Sequence, residues 1–176
     1  IWCAYGSVLP ANYISVHDAT TGELVVALTN PSWISHQPIW DPVGNVMVIH
    51  RVHFGSFART WNPFTFVYSD EFGDFPSLER HGMFISGYNY MAYLGENGML
   101  TLLAAGSYAK IYEGGPSSWW FSIATNTQIA YDPTRGRIWC GSALGYGSGF
   151  GYFDLDTFTW IQTTVNWFRG GVFYHP

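Results

Sequence analysis

A strand–turn–strand unit recurs along this chain, and it restricts the chain to a repeated all-β architecture. The clearest copy is "QIAYDPTRGRIWCGS", residues 128–142. Asp132-Pro133-Thr134-Arg135-Gly136 reads as its turn, with Pro pre-setting φ and Gly supplying the positive φ that other residues avoid. "PIWDPVGNVMVIHR", residues 38–51, has the same form. "YMAYLGENGMLTLLAAG", residues 90–106, keeps it with Gly95-Glu96-Asn97-Gly98 as the expected turn. "GVFYHP", residues 171–176, is the first arm of a further copy, with His175-Pro176 in place of Asp-Pro. The stretch "IWCAYGS", residues 1–7, matches the second arm, Ile138-Trp139-Cys140-Gly141-Ser142. Joining these two arms completes the hairpin, short of about four turn residues.

The anchors Pro42, Glu96, Pro133 and Pro176 stand 54, 37 and 43 residues apart. The punctuation between units also repeats. "TNPSWISHQPIWDP", residues 29–42, aligns without a gap with "TTVNWFRGGVFYHP", residues 163–176, matching Thr29 to Thr163, Trp33 to Trp167 and Pro42 to Pro176. Helical periodicity is nearly absent, and alternation bounded by Gly, Pro, Asn and Asp marks strands and turns. "YISVHDATTGELVVAL", residues 13–28, is another hairpin about Asp18 to Gly22. One full unit reads as four strands, residues 128–131, 138–142, 150–155 and 158–163.

Repeats of about 45 residues, each a four-stranded antiparallel meander, are the mark of propeller blades. The chain resembles β-propeller repeat proteins of the kelch, YVTN and quinoprotein-like sort. The resemblance implies an all-β fold of about four blades, closed on themselves or forming an arc of a larger propeller. It implies a single domain over residues 1–176, in which the N-terminal strand 1–7 completes a blade with the C-terminal strand 171–176. The matched links holding Trp33 and Trp167 are then joints from one blade to the next. The family markers of kelch, WD40 and sialidase repeats are absent, so the resemblance points to architecture and to no particular family. The region 57–87 departs most from the pattern, and "EFGDFPSLERHGMFISG", residues 71–87, reads as a long insertion or loop between strands.

Composition narrows the function. Charged residues make up 11% of the chain, against roughly 25% in ordinary soluble domains. Lys110 is the only lysine, and aromatics reach 19%. Such a surface is rich in Gly, Ser, Thr, Asn and rings, and extended apolar surface usually marks an interface. A net charge of −5 with no basic cluster argues against nucleic acid, which needs clustered Lys and Arg. No run of about 18 apolar residues exists, so no membrane insertion is expected.

Few constellations suggest chemistry. Cys3 and Cys140 fall at equivalent repeat positions, which point the same way in neighbouring blades, too far apart for a disulfide. His50 and His53 are three apart in a strand and so face opposite sides. Asp70, Glu71, Asp74 and Glu79 form the one acidic cluster, a hard-oxygen donor set without the spacing of a known calcium loop. "GYGSGFG", residues 145–151, is followed by an expected strand, whereas a dinucleotide loop opens a helix. No Ser-His-Asp order or Gly-x-Ser-x-Gly elbow occurs.

Aromatic residues beside Gly-, Pro- and Ser-rich connections are more telling. Trp33, Phe54, Trp61, Trp119, Trp120 and Trp167 are the contact candidates, because rings in loops stack on sugars or anchor protein partners. The expected function is a non-enzymatic structural and interaction module of an extracellular or virion assembly, such as a phage tail component. No catalytic residue, cofactor or metal is expected, and the partners are other protein subunits or a glycan. The virion attribution rests on compositional analogy. The alternatives are a secreted carbohydrate-binding propeller, or a fragment of a propeller enzyme whose catalytic residues lie elsewhere.

Overall fold

The computed structural model describes residues 2–8, 11–30, 38–50, 56–65, 67, 69, 72–75, 79–95, 99–116, 128–141 and 150–163. These form strands and tight turns, with no helix among them. The strands are β1 (Trp2–Val8), β2 (Ala11–His17), β3 (Leu24–Asn30), β4 (Ile39–Asp41) and β5 (Val46–His50). Next come β6 (Ser56–Trp61), β7 (Phe72–Phe75), β8 (Glu79–Ile85), β9 (Tyr90–Gly95) and β10 (Leu100–Ala104). The last are β11 (Lys110–Gly114), β12 (Gln128–Asp132), β13 (Arg137–Gly141), β14 (Phe150–Asp154) and β15 (Thr159–Thr163).

They assemble into four sheets: β1–β3, β4–β7, β8–β11 and β12–β15. Each sheet is a meander in which consecutive strands pair antiparallel. The unit read from residues 128–163 is the β12–β15 sheet, shifted by a residue at some strand ends. The hairpins about Asp18–Gly22, Pro42 and Asp132-Pro133 form as expected.

Two expectations need correction. The segment 71–87 is neither a long insertion nor a loop: it contains β7, which completes one sheet, and β8, which opens the next. The turn anchor at Glu96 is one strand late. The hairpin equivalent to those at Pro42 and Pro133 is β8–β9, turning at Ser86-Gly87-Tyr88-Asn89. The corrected anchors Pro42, Ser86 and Pro133 lie 44 and 47 residues apart, a more even repeat than 54 and 37.

The reason is chemical equivalence without sequence identity. All three turns close on a residue in the left-handed region: Asn45 at φ 54°, Asn89 at 54° and Gly136 at 60°. Asn tolerates that region nearly as Gly does, so Ser-Gly-Tyr-Asn makes the same turn with no Pro.

Packing between sheets supplies the core. One face of β8–β11 carries Met91, Tyr93 and Leu103 against Ile39, Val48 and Ala58 of β4–β6. Its other face carries Ile85, Ala92, Leu94, Leu100 and Leu102 against Ile138, Cys140, Phe153 and Leu155. β9 and β10 are therefore buried on both sides, which is why Met91 to Leu94 reads as an apolar run and Leu100 to Leu103 is broken only by Thr101, itself buried. Gly82 of β8 lies where Ile39 crosses: a Cβ there would come within 2.2 Å of the Ile39 tip and 2.8 Å of the Tyr93 ring. A glycine in mid-strand is thus demanded by the close approach of the neighbouring sheet.

Candidate functional site

The antiparallel order puts the turns 42–45, 86–89, 105–108, 133–136 and 155–158 at one end of their sheets. At this end a few carboxylates tie the sheets together. Asp41, the last residue of β4, is fully buried at 0% exposure. Its Oδ1 accepts the Val43 N–H of its own turn at 2.9 Å. Its Oδ2 accepts two bonds from the next sheet: the Gly106 N–H at 2.9 Å and the Tyr108 hydroxyl at 2.7 Å. Three donors on one carboxylate satisfy a charge that is otherwise expensive to bury. Burial first, then the bond to Asp41, pushes the Tyr108 hydroxyl well above the ordinary tyrosine pKa.

Tyr108 has φ of 57°, a conformation uncommon for a bulky residue. The bond to Asp41 and packing against the core holding Ile39 and Leu103 keep it there.

The next joint exchanges the roles. Tyr88, in the β8–β9 turn, donates its hydroxyl to Asp156 Oδ1 of the β14–β15 turn at 2.5 Å. That bond, with burial and the Asp156 charge, raises its pKa to about 12. Leu155 N–H donates to the Gly136 carbonyl at 2.9 Å, so the two turns of the β12–β15 sheet meet beneath the Tyr88 ring. Tyr131 reaches back from β12 toward Gly87 of the preceding sheet.

The remaining carboxylates at this end serve their own turns. Asp132, 2% exposed, accepts the Thr134 N–H and hydroxyl on one oxygen and pairs with Arg135 on the other. The Thr134 hydroxyl bond is the leading cause that holds its carboxyl below the ordinary range, with Arg135 adding to it. Asp18 is lowered by N–H bonds from Thr21 and Thr20. For Asp154 burial works upward, but the Thr157 hydroxyl and N–H outweigh it and the net shift is downward.

A pH dependence follows. Carboxyls depressed in the fold stabilise it fully above their unfolded value near 3.8 and lose that contribution as pH falls through the folded values. Tyr88, raised to about 12, stabilises fully below its unfolded pKa of about 10 and loses that contribution as pH climbs from there through the folded value. Urea midpoints are therefore expected to hold between about pH 5 and 9, and to fall on either side. Midpoints that stay level from about pH 6 down to about pH 2.5 would show that these turns carry no such linkage.

The sequence candidates fall elsewhere. Trp61 ends β6 with its side chain at 0% exposure, in a row with Met47 and Trp40 across the face of the sheet turned away from β8–β11. Its ring is packing, not an exposed platform. Trp33, Phe54, Trp119, Trp120 and Trp167 lie outside the described residues. So do Asp70, Glu71 and His53. Asp74 and Glu79 lie on β7 and β8, in different sheets. Among the described residues no three His, Cys, Asp or Glu side chains group to hold a metal ion. Cys140 is a free, fully buried thiol, its pKa pushed up by burial. Phe150 and Gly151, closing "GYGSGFG", belong to strand β14 rather than to a helix.

The joint residues Asp41, Tyr88, Tyr108 and Asp156 were not singled out from sequence. Asp41 carried a signal, since Asp before Pro forms turns, but that accounts for only one of its two oxygens.

No family model and no curated protein matches the sequence. Solved structures do match in fold. Hydrazine synthase of Kuenenia stuttgartiensis superposes with a TM-score of 0.66 at 8% identity, over 85% of this chain and 42% of that one. A candidate 6-phosphogluconolactonase of Bacteroides fragilis superposes with a TM-score of 0.61 at 14% identity, over 86% of this chain and 50% of that one. The fold is that of a β-propeller. Its four sheets are blades, and the chain spans about half the length of the solved structures it matches.

Proposed function

We propose that this chain is a non-enzymatic interaction module, a propeller scaffold of an extracellular or virion assembly of the phage-tail kind. The observation that carries the reading is the division of labour between the two ends of the blades. At one end, turns of four residues are stitched to one another by Asp41–Tyr108 and Tyr88–Asp156. The carboxylates there are committed to hydrogen bonds that hold the turns, which leaves them to structural work. The strands that flank connections 51–55, 96–98, 117–127 and 142–149 end at the other side. Those connections include the longest in the chain, and they carry Phe54, Trp119 and Trp120. Loops held by a rigid scaffold are where binding concentrates.

Scarce charge and a single lysine favour a surface covered by other subunits, and exposed Trp and Tyr are favoured anchors. The test is the mass of the native particle together with a glycan array. A large symmetric assembly is the expected result. A monomer retained on glycans supports the carbohydrate-binding alternative instead, and a monomer that binds neither overturns the reading.

A further inference from the structure

The outermost strand of a sheet presents backbone N–H and C=O groups along which a further strand can pair. Among the described residues β3, β7, β11 and β15 hold that outer place. Three of them carry features that discourage another strand. β7 has four residues, includes Asp74 and pairs irregularly with β6. β11 carries the Lys110–Glu113 ion pair, and its register slips beside Leu103. β15 has five residues, three of them Thr or Gln. Charge, short length and bulges are ordinary devices that keep edges from pairing.

β3 differs over most of its length. Leu24–Asn30 is seven residues long and contains no charge and no proline. Its one irregularity lies at its start, where Val25 is the extra residue between the pairs Val16–Val26 and His17–Leu24. Leu24 and Val25 are each 58% exposed, and Ala27 is exposed as well. Residues 171–176, the expected neighbour of β1, lie outside the described residues, and β3 is the opposite, outer edge of the same sheet.

We propose that β3 is a self-association edge, along which two copies of this chain pair antiparallel about a twofold axis at Ala27. An uncharged strand matches its own copy without opposing like charges, and a twofold contact is the commonest way for identical chains to associate. Pairing over all seven residues centres the axis on Ala27, with Leu24 opposite Asn30 and Val25 opposite Thr29 of the other copy. The flanking charge selects the direction. Asp18 and Glu23 stand in the turn just before β3. Antiparallel order sets the two acidic turns at opposite ends of the ladder, on the order of 25 Å apart. Parallel order would bring them side by side. The contact uses no residue of the connections 51–55, 96–98, 117–127 or 142–149, so failure of either reading leaves the other intact.

A residue on the axis faces itself, with Cα atoms about 4.5–5.5 Å apart, within disulfide reach. Ala27→Cys, oxidised with diamide, is therefore expected to give a product of twice the monomer mass, which peptide mapping assigns to a bond between the two new thiols at position 27. Diamide takes up the two electrons and two protons that those thiols lose. Leu24→Cys is as exposed a probe, but its counterpart lies about 20 Å away along the ladder, so it is expected to stay reduced. Cys140 is buried, and wild type oxidised in parallel is expected to remain at monomer mass in denaturant. Sedimentation of the unoxidised wild type over a concentration series is expected to reach the dimer mass. Ala27→Lys opposes two charges on the axis and is expected to abolish that dimer with the melting temperature of the chain unchanged. Val25→Lys, at another exposed position, is expected to do the same and serves if Ala27→Lys does not fold. A wild type that stays monomeric throughout, crosslinking at 24 equal to that at 27, no crosslinking at 27, or a dimer that survives the lysine variants would each overturn the proposal.

Discussion

Asp41→Ala is expected to destabilise the chain by about 3 kcal/mol or more, the largest effect of any single change at the turn end. The substitution removes one carboxylate and orphans three donors: the N–H groups of Val43 and Gly106 and the hydroxyl of Tyr108. Water cannot readily replace it, because the position is fully buried. A buried donor without a partner costs about 1–3 kcal/mol. Tyr108 also loses the bond that helps hold it at positive φ. Asp41→Asn keeps the shape but turns one acceptor into a donor facing other donors, so its loss should fall between that of the wild type and Ala. Tyr108→Phe removes one charge-assisted bond and should cost about 1.5–3 kcal/mol. Chemical denaturation of the three variants measures the series. In a double-mutant cycle, Asp41→Ala and Tyr108→Phe should be strongly non-additive, because they share a bond. Additive losses would mean that the two blades are not joined there.

Trp119→Ala and Trp120→Ala are expected to separate binding from folding. The two rings follow Gly114-Gly115-Pro116-Ser117-Ser118, a stretch of turn-forming residue types that begins at the last residue of β11. Binding energy at interfaces concentrates in few residues, and Trp is foremost among them. At least one of the two variants should keep its melting temperature while losing about 2 kcal/mol or more of partner or glycan affinity, a fall of about thirtyfold. If instead both lose several kcal/mol of fold stability, as buried Trp→Ala changes do, and neither binds more weakly, the rings are core and the recognition role fails.

The sequence made the repeated hairpin visible wherever its turn used Asp-Pro and Gly, as at Pro42 and Pro133. The β8–β9 hairpin escaped because its turn makes the same left-handed close with Asn89 and no Pro. β8 itself was hard to see. It begins with Glu79, Arg80 and His81 and carries Gly82 where Ile39 passes, so neither alternation nor an apolar run marks it. Trp61 looked like a loop ring because Asn62-Pro63 follow it, yet its place opposite Met47 buries it.

The joints were illegible for a different reason. Asp41 meets Gly106 and Tyr108 from 65 and 67 residues away, and its local role in the turn already gave that Asp a sufficient explanation. A local reading of sequence finds the turn. It does not find the second oxygen, whose partners come from the neighbouring blade.

Hydrogen exchange of the native assembly against the dissociated chain distinguishes the two ends of the blades most directly. If the interlocked turns are scaffold and the opposite end binds, association adds protection in the connections 51–55, 117–127 and 142–149. It leaves the turns 42–45, 86–89 and 133–136 unchanged. New protection confined to those turns, with none in the connections, would contradict the assignment of the binding face.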